Sequence, residues 1–269
     1  MTPMRKGYPS EFVFQIASLL VAVILVHTFY VLIVRPKADG ILVEQAARMQ
    51  VEKDYVQERS VWVIIRDFEQ ESCFALMLWA FAIMGYKSRA VSRERRLVQE
   101  NLVPLGEGTR ILPEDAREYT RQIQSLPPLE QAALLPRALL TALHRFTATR
   151  SIQDVSTTAH GVCEAEAERL ESELSLVRFI AWAIPSIGFI GTVRGIGEAL
   201  GQAHKAVEGD LAGVTQSLGV AFNSTFIALL ISIVLMFMLH QLQLHQERLV
   251  LETESYLDQH LVQHLQVPS

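Results

Sequence analysis

Cysteine is nearly absent: the 269 residues contain only Cys73 and Cys163, far apart and in stretches of different character. That excludes a disulfide framework and any CxxC metal or redox motif, and both are expected to be ordinary buried or reduced thiols. A basic arm or stripe is missing too. With a formal net charge of -5 and a pI near 5.9, nucleic-acid binding is excluded as the main task. Motifs of catalysis are lacking as well: there is no HExxH, no Walker A, no dinucleotide fingerprint and no nucleophile-base pair. The glycines of GFIGTVRGIG lie in an apolar stretch instead of at a strand-to-helix turn. An enzyme is therefore not expected, and no cofactor or metal is called for. His260 and His264 stand four apart, but two ligands without a third make a poor metal site, and a solvated helix face is the expectation.

What the chain has is apolar residues gathered into blocks, since a mean hydropathy of +0.23 with 20% charged residues does not arise from even mixing. Residues 12–34 form a 23-residue apolar run, about 34 Å as a helix, with Ser10 as the expected N-cap. It is too long for a signal peptide and no small-x-small cleavage site follows. Residues 35–71 are polar and helix-favouring, with Pro36 and Gly40 as the only breakers, and read as an extracytoplasmic helical link. A shorter run of 15 residues, 72–86, is expected to span because Trp79 and Tyr86 supply interface anchors and a cationic flank follows. That flank holds Lys87, Arg89, Arg93, Arg95 and Arg96 and marks the cytoplasmic side.

Residues 87–177 read as a cytoplasmic helical region broken by prolines, its acidic run 164–173 a solvated face. Residues 178–240 hold two further apolar helices joined by a short polar link, hence antiparallel neighbours. Residues 241–269 continue as a cytoplasmic C-terminal helix, with Leu242, Leu249, Leu257 and Leu261 on one face. The fold class is an all-α membrane protein with four transmembrane helices, long helices extending into the cytoplasm and both termini cytoplasmic.

In the third span Ala181, Pro185, Gly188, Thr192, Gly195 and Ala199 recur at intervals of four and three, which sets them on one helix seam. Small residues along a seam let backbones approach within a membrane. Ser217, Ala221, Thr225, Ala228 and Ser232 make a comparable stripe in the fourth span, with Asn223 and Ser224 beside it. The hydroxyls either line an ion path or bond to carbonyls one turn earlier. Arg194 and Glu198 form an i,i+4 pair at the outer mouth. His27 in the first span is read as a cross-helix hydrogen-bonding group in preference to a proton relay.

AWAIPSIGFIGTVRGIGEAL followed by SLGVAFNSTFIALLIS resembles the MotA/TolQ/ExbB family of ion-channel and motor subunits. The specific part combines Pro185, Gly188, Gly191, Thr192 and Val193 in one span with Ala221, Thr225 and Ala228 in the next. The resemblance implies a homopentameric ring in an inner membrane. Within it would stand a dimeric single-span partner of the ExbD, TolR or MotB kind, whose intramembrane aspartate carries the proton. It implies that Thr192 and Thr225 lie near that aspartate and that Pro185 bends its helix. A hydroxyl donates to a carboxylate and accepts from a carboxylic acid, so it serves both states. Two departures stand out: Val220 occupies the place of a glutamate common in ExbB-like members, and Val234 that of a proline. With no extra carboxylate to bind Na+, the implied ion is H+, Na+ being the alternative. A non-conducting scaffold that anchors cytoplasmic helices is the competing function.

Overall fold

The computed structural model describes residues 8–51, 60–100, 102, 110–207, 209 and 211–267. Those residues are almost entirely helical and include no strand; a lone parallel bridge pairs Ile111 with Leu265. The chain divides into two compact units, one of residues 1–84 and 176–239, the other of 85–175 and 240–269. Among the described residues three helices are long and apolar enough to cross a membrane: Glu11–Arg48, Ile152–Gly201 and Ala212–His264. The protein is membrane-embedded. The 72–86 run lies in a longer helix but is closed in by Glu71 and Lys87, which leaves it short of a self-sufficient span.

In the first unit the leading helix is continuous. Helix α1 (Tyr8–Phe29) passes through a π-helical turn (Tyr30–Val34) into α2 (Arg35–Val51). Two expectations fail here. Ser10, the expected N-cap, lies within α1. Pro36 and Gly40 do not break the helix, because the widened turn just before Pro36 makes room for its ring and its missing N–H. A short turn, α3 (Val61–Ile64), leads into α4 (Phe68–Gln99). Trp79 Nε1 of α4 donates to the Gln15 carbonyl of α1 at 2.9 Å, and Tyr30 packs its ring 6.4 Å from that of Phe74. Helices α9 (Ser175–Gly201), α10 (Ala203–Val207) and the first half of α11 (Ala212–His260) complete the unit. Their outward faces are apolar, with Phe179, Trp182, Phe189 and Val193 on α9 and Phe222, Phe226, Ile233 and Phe237 on α11 all exposed.

The second unit has its own core. Leu134, Leu135, Leu139, Leu143 and Phe146 of α7 (Leu134–Thr149) meet Val155, Cys163 and Leu170 of α8 (Ile152–Glu173) and Leu257 and Leu261 near the end of α11. Glu94 of α4 accepts from the first N–H of α7, at Leu134, over 3.1 Å, and Ser151 caps α8 by accepting from Asp154 N at 3.3 Å. All four leucines expected to share a face of the C-terminal helix are buried. The acidic run is not wholly solvated. Glu166 falls in register with Ala159, Cys163 and Leu170 on the buried face of α8 and is held by Arg137 at 2.5 Å and by Arg169. Glu173 pairs with buried Lys87 at 2.6 Å. Cys73 and Cys163 are both buried and free.

Candidate functional site

The two small-residue seams face each other across α9 and α11, both in the first unit. The glycines measure how closely. A Cβ on Gly188 would lie 2.5 Å from Ala228 Cβ, one on Gly191 2.5 Å from Ser224 Cβ, and one on Gly195 2.8 Å from Ala221 Cβ. No side chain fits at any of these places, so hydrogen at the Cα is what allows the approach.

Proline makes the next contact possible. Pro185 has no N–H, which leaves the Ala181 carbonyl one turn earlier without its helical donor. Ser232 of α11 donates its hydroxyl to that carbonyl at 3.0 Å. Three residues beyond the proline, the Gly188 carbonyl accepts from Thr192 Oγ1 at 3.3 Å and from Thr225 Oγ1 at 3.0 Å. The Ala221 carbonyl, 3.1 Å from Thr192 Oγ1, is an alternative acceptor for the single Thr192 proton, and the two threonine hydroxyls lie within hydrogen-bonding reach of each other, either able to be the donor. Both threonines are half-buried. The result is a pair of hydroxyls with backbone acceptors, free to exchange donor and acceptor roles.

Near the other end of α9, charges gather. Arg194 makes a two-pronged contact with Glu69 of α4, at 2.8 and 2.9 Å, and reaches Glu198 at 2.9 Å and Asp67 at 3.9 Å. Burial raises the Glu69 carboxyl more than any single neighbour lowers it, but the Arg194 hydrogen bond, a backbone hydrogen bond and the Arg194 charge together outweigh it and the net direction is down. Asp67 goes the other way: burial lifts its carboxyl, against the pull of Arg194. Beside them Glu71 bonds to Arg35 at 2.5 Å and to His27 at 2.6 Å, so His27 has its cross-helix partner.

Of the residues singled out in the sequence, Thr192, Thr225, Ser224, Gly188, Gly191, Gly195, Ala221 and Ala228 come together on the α9–α11 seam. Pro185 acts through Ala181 at one end of it, and Arg194 and Glu198 pair as their spacing required. Asn223 is half-buried and takes no part in these hydrogen bonds. Sequence reasoning missed Asp67, Glu69 and Gln70. Their signal was present: two acids and an amide immediately before the short apolar run of α4, where a span would begin.

Comparison with curated proteins and with solved structures gave no significant match. Comparison with family models gave one, over residues 130–255, which takes in α7 to α9 and most of α11. That stretch reaches well upstream of the two seams and includes the α7–α8 part of the second unit. Residues 130–255 match the model of the MotA/TolQ/ExbB proton channel family.

Proposed function

We propose that the chain is the ion-channel subunit of a motor-like complex of the inner membrane. Copies of it form a ring, a pentamer by family resemblance, around a dimeric single-span partner whose aspartate exchanges protons beside Thr192 and Thr225. The observation that carries this reading is the hydroxyl pair. It sits half-buried between two apolar helices with no fixed charge in its hydrogen-bond set, which suits a carboxyl that must be met both protonated and ionised. The apolar outward faces of α9 and α11 are suited to neighbouring copies and to lipid. The contact of Trp79 with Gln15 supports α4 as the second of four spans, with both termini and residues 87–177 on the cytoplasmic side.

The ion is H+ on this reading, because the site offers hydroxyls and no carboxylate ligand for Na+. The test is proton flux into liposomes holding the chain and a single-span, aspartate-bearing protein of the ExbD, TolR or MotB kind, with Thr192→Val plus Thr225→Val as the variant. Flux should fall by more than about tenfold while the mass of the complex is unchanged. Undiminished flux would refute the mechanism.

A non-conducting scaffold has one observation in its favour: the Thr192 and Thr225 hydroxyls both already have a backbone acceptor, as packing alone would require. On that reading wild-type liposomes hold a proton gradient, and only substitutions on the glycine seam disturb the assembly.

A further inference from the structure

The 15-residue apolar run 72–86 of α4 covers about 22 Å as a helix, against a hydrocarbon core of about 30 Å. A span that short stays in place when the groups flanking it engage the headgroups, by anchoring at the interface or by drawing the bilayer thinner. The stretch of α4 just past Tyr86 is where such an anchor belongs.

Tyr86, Arg89, Arg93 and Arg96 recur there at intervals of three, four and three, within one arc of about 80° around the helix, and all four are exposed. The other side of the same stretch is turned inward, with Lys87, Val91 and Leu97 buried. The cations divide along the same line. Lys87 is tied to Glu173 at 2.6 Å, and Arg95 forks onto Glu252 at 2.9 and 2.5 Å. Arg89, Arg93 and Arg96 make no ion pair or hydrogen bond among the described residues. Scarcity of acids is not the reason, since the chain has 29 acids to 24 cations. Glu94, the nearest acid in sequence, accepts from the Leu134 N–H instead. Three guanidinium groups on one face are thus left for a ligand from outside the chain.

Position and charge identify that ligand. Cα–Cβ bonds tilt toward a helix's N-terminus, so long side chains on α4 beyond Tyr86 set out back toward the apolar run. Along the axis, Arg89 stands about 4.5 Å, Arg93 about 10 Å and Arg96 about 15 Å past Tyr86. The headgroup layer is about 5–7 Å deep, and its charge is felt for roughly another 8–10 Å at physiological salt. Arg89 therefore falls among the phosphates, Arg93 at their edge and Arg96 within screened range. A guanidinium forks onto phosphate oxygens as it does onto a carboxylate.

We propose that Arg89, Arg93 and Arg96, with Tyr86 above them, form a binding face for anionic phospholipid headgroups that fixes α4 at the cytoplasmic surface of the membrane. The inference rests on the reading of α4 as a span whose C-terminal half is cytoplasmic, and adds a ligand to it.

The experiment places the chain alone in phosphatidylcholine vesicles with a fluorophore on Ser92→Cys. Ser92 is exposed, three residues from Arg89 and four from Arg96, and both native cysteines are buried. Quenching is compared between phosphatidylglycerol and phosphatidylcholine that carry the same spin label near the headgroup. The phosphatidylglycerol label should quench about fivefold more effectively, and the excess should shrink as salt is raised. Arg89→Gln should remove more of the excess than Arg96→Gln, Arg89→Lys should keep most of it, and the three glutamine changes together should abolish it. None of these variants should melt below wild type in detergent, because the three side chains have no partner to lose among the described residues. An excess that survives the triple variant, or equal quenching by the two labels in wild type, would overturn the headgroup face while leaving α4 at the surface. Equal quenching is also what a face made for a protein partner gives, since the vesicles hold no other protein. Quenching by neither label would remove the reading of α4 as a span, and the proposal with it.

Discussion

Gly195 and Gly197 stand two residues apart on α9 and should respond to alanine in opposite directions. At Gly195 a new Cβ would meet Ala221 Cβ, Ala221 N and the Ser217 carbonyl, each at 2.8 Å. Two of those three atoms are backbone, so no rotamer change relieves the overlap. Bringing the contacts to ordinary van der Waals separation parts the helices by roughly 0.6 Å, and overpacking of this kind costs about 1–3 kcal/mol. At Gly197 nothing lies within 4 Å, and alanine there gains about 0.5–1 kcal/mol from helix propensity. The contrast is about 1.5–4 kcal/mol, with the same chemical change on the same helix. The assay is thermal unfolding of the detergent-solubilised protein followed by circular dichroism, the two variants and the wild type side by side. Gly195→Ala should melt below wild type and Gly197→Ala at or above it. Equal melting of the two would refute the close approach of α9 to α11.

Ser232→Ala orphans the Ala181 carbonyl and should destabilise by about 1 kcal/mol; with Pro185→Ala, which restores a helical N–H to that carbonyl, most of the penalty should vanish in a double-mutant cycle. Additive effects would disprove the link. Burial pushes the Cys163 thiol up to about 11, against 9.0 for a free thiol, so maleimide should label neither cysteine of the native protein within minutes at neutral pH and both after denaturation. Asp67 has its carboxyl raised in the fold, so its contribution is complete below the ordinary aspartate range and is lost as pH climbs through the raised value. Asp67→Asn should accordingly raise the melting temperature at neutral pH and leave it unchanged in acid. Glu69 is lowered, and the sign reverses: Glu69→Gln should cost stability at neutral pH, by about 1–3 kcal/mol for the lost two-pronged pair, and little once the pH falls through the lowered value.

The seams were legible in the sequence because a helix turns by a fixed angle and small residues at intervals of four and three have to share a face. The pairing of Arg194 with Glu198 followed from the same geometry. What was not legible came from contacts between helices distant in sequence. Glu69 and Arg194 are 125 residues apart, and nothing in either segment names the other. Glu166 shows the same limit. Within EAEAERLESE each glutamate looks solvated, but the helical register that buries Cys163 and Leu170 carries Glu166 inward, where Arg137 and Arg169 neutralise it. The uninterrupted helix through Pro36 was hidden for a different reason. Proline ends most helices, and the π-helical turn that tolerates it here leaves no composition signature.

Pro185 and Gly188 explain jointly why the two threonines meet. A proline frees one carbonyl, which Ser232 then claims, and this fixes the register of α11 against α9 at that level. With register fixed, the next contact along the seam falls at Gly188, and only a residue without a side chain lets Ala228 and Thr225 come so near. Thr225 then reaches the Gly188 carbonyl already used by Thr192, and a shared acceptor brings the two hydroxyls into contact. Position here is a consequence of backbone chemistry and not of any attraction between the threonines. It follows that Thr192→Ser and Thr225→Ser, which keep the hydroxyls but drop a methyl, should preserve the hydrogen bonds because the glycine and proline still set the spacing. Moving the small residues should displace the hydroxyls even with both threonines intact. A Gly188→Ala variant that assembled with wild-type flux would contradict this order of causes, since it would leave the hydroxyl pair working without the approach that places it.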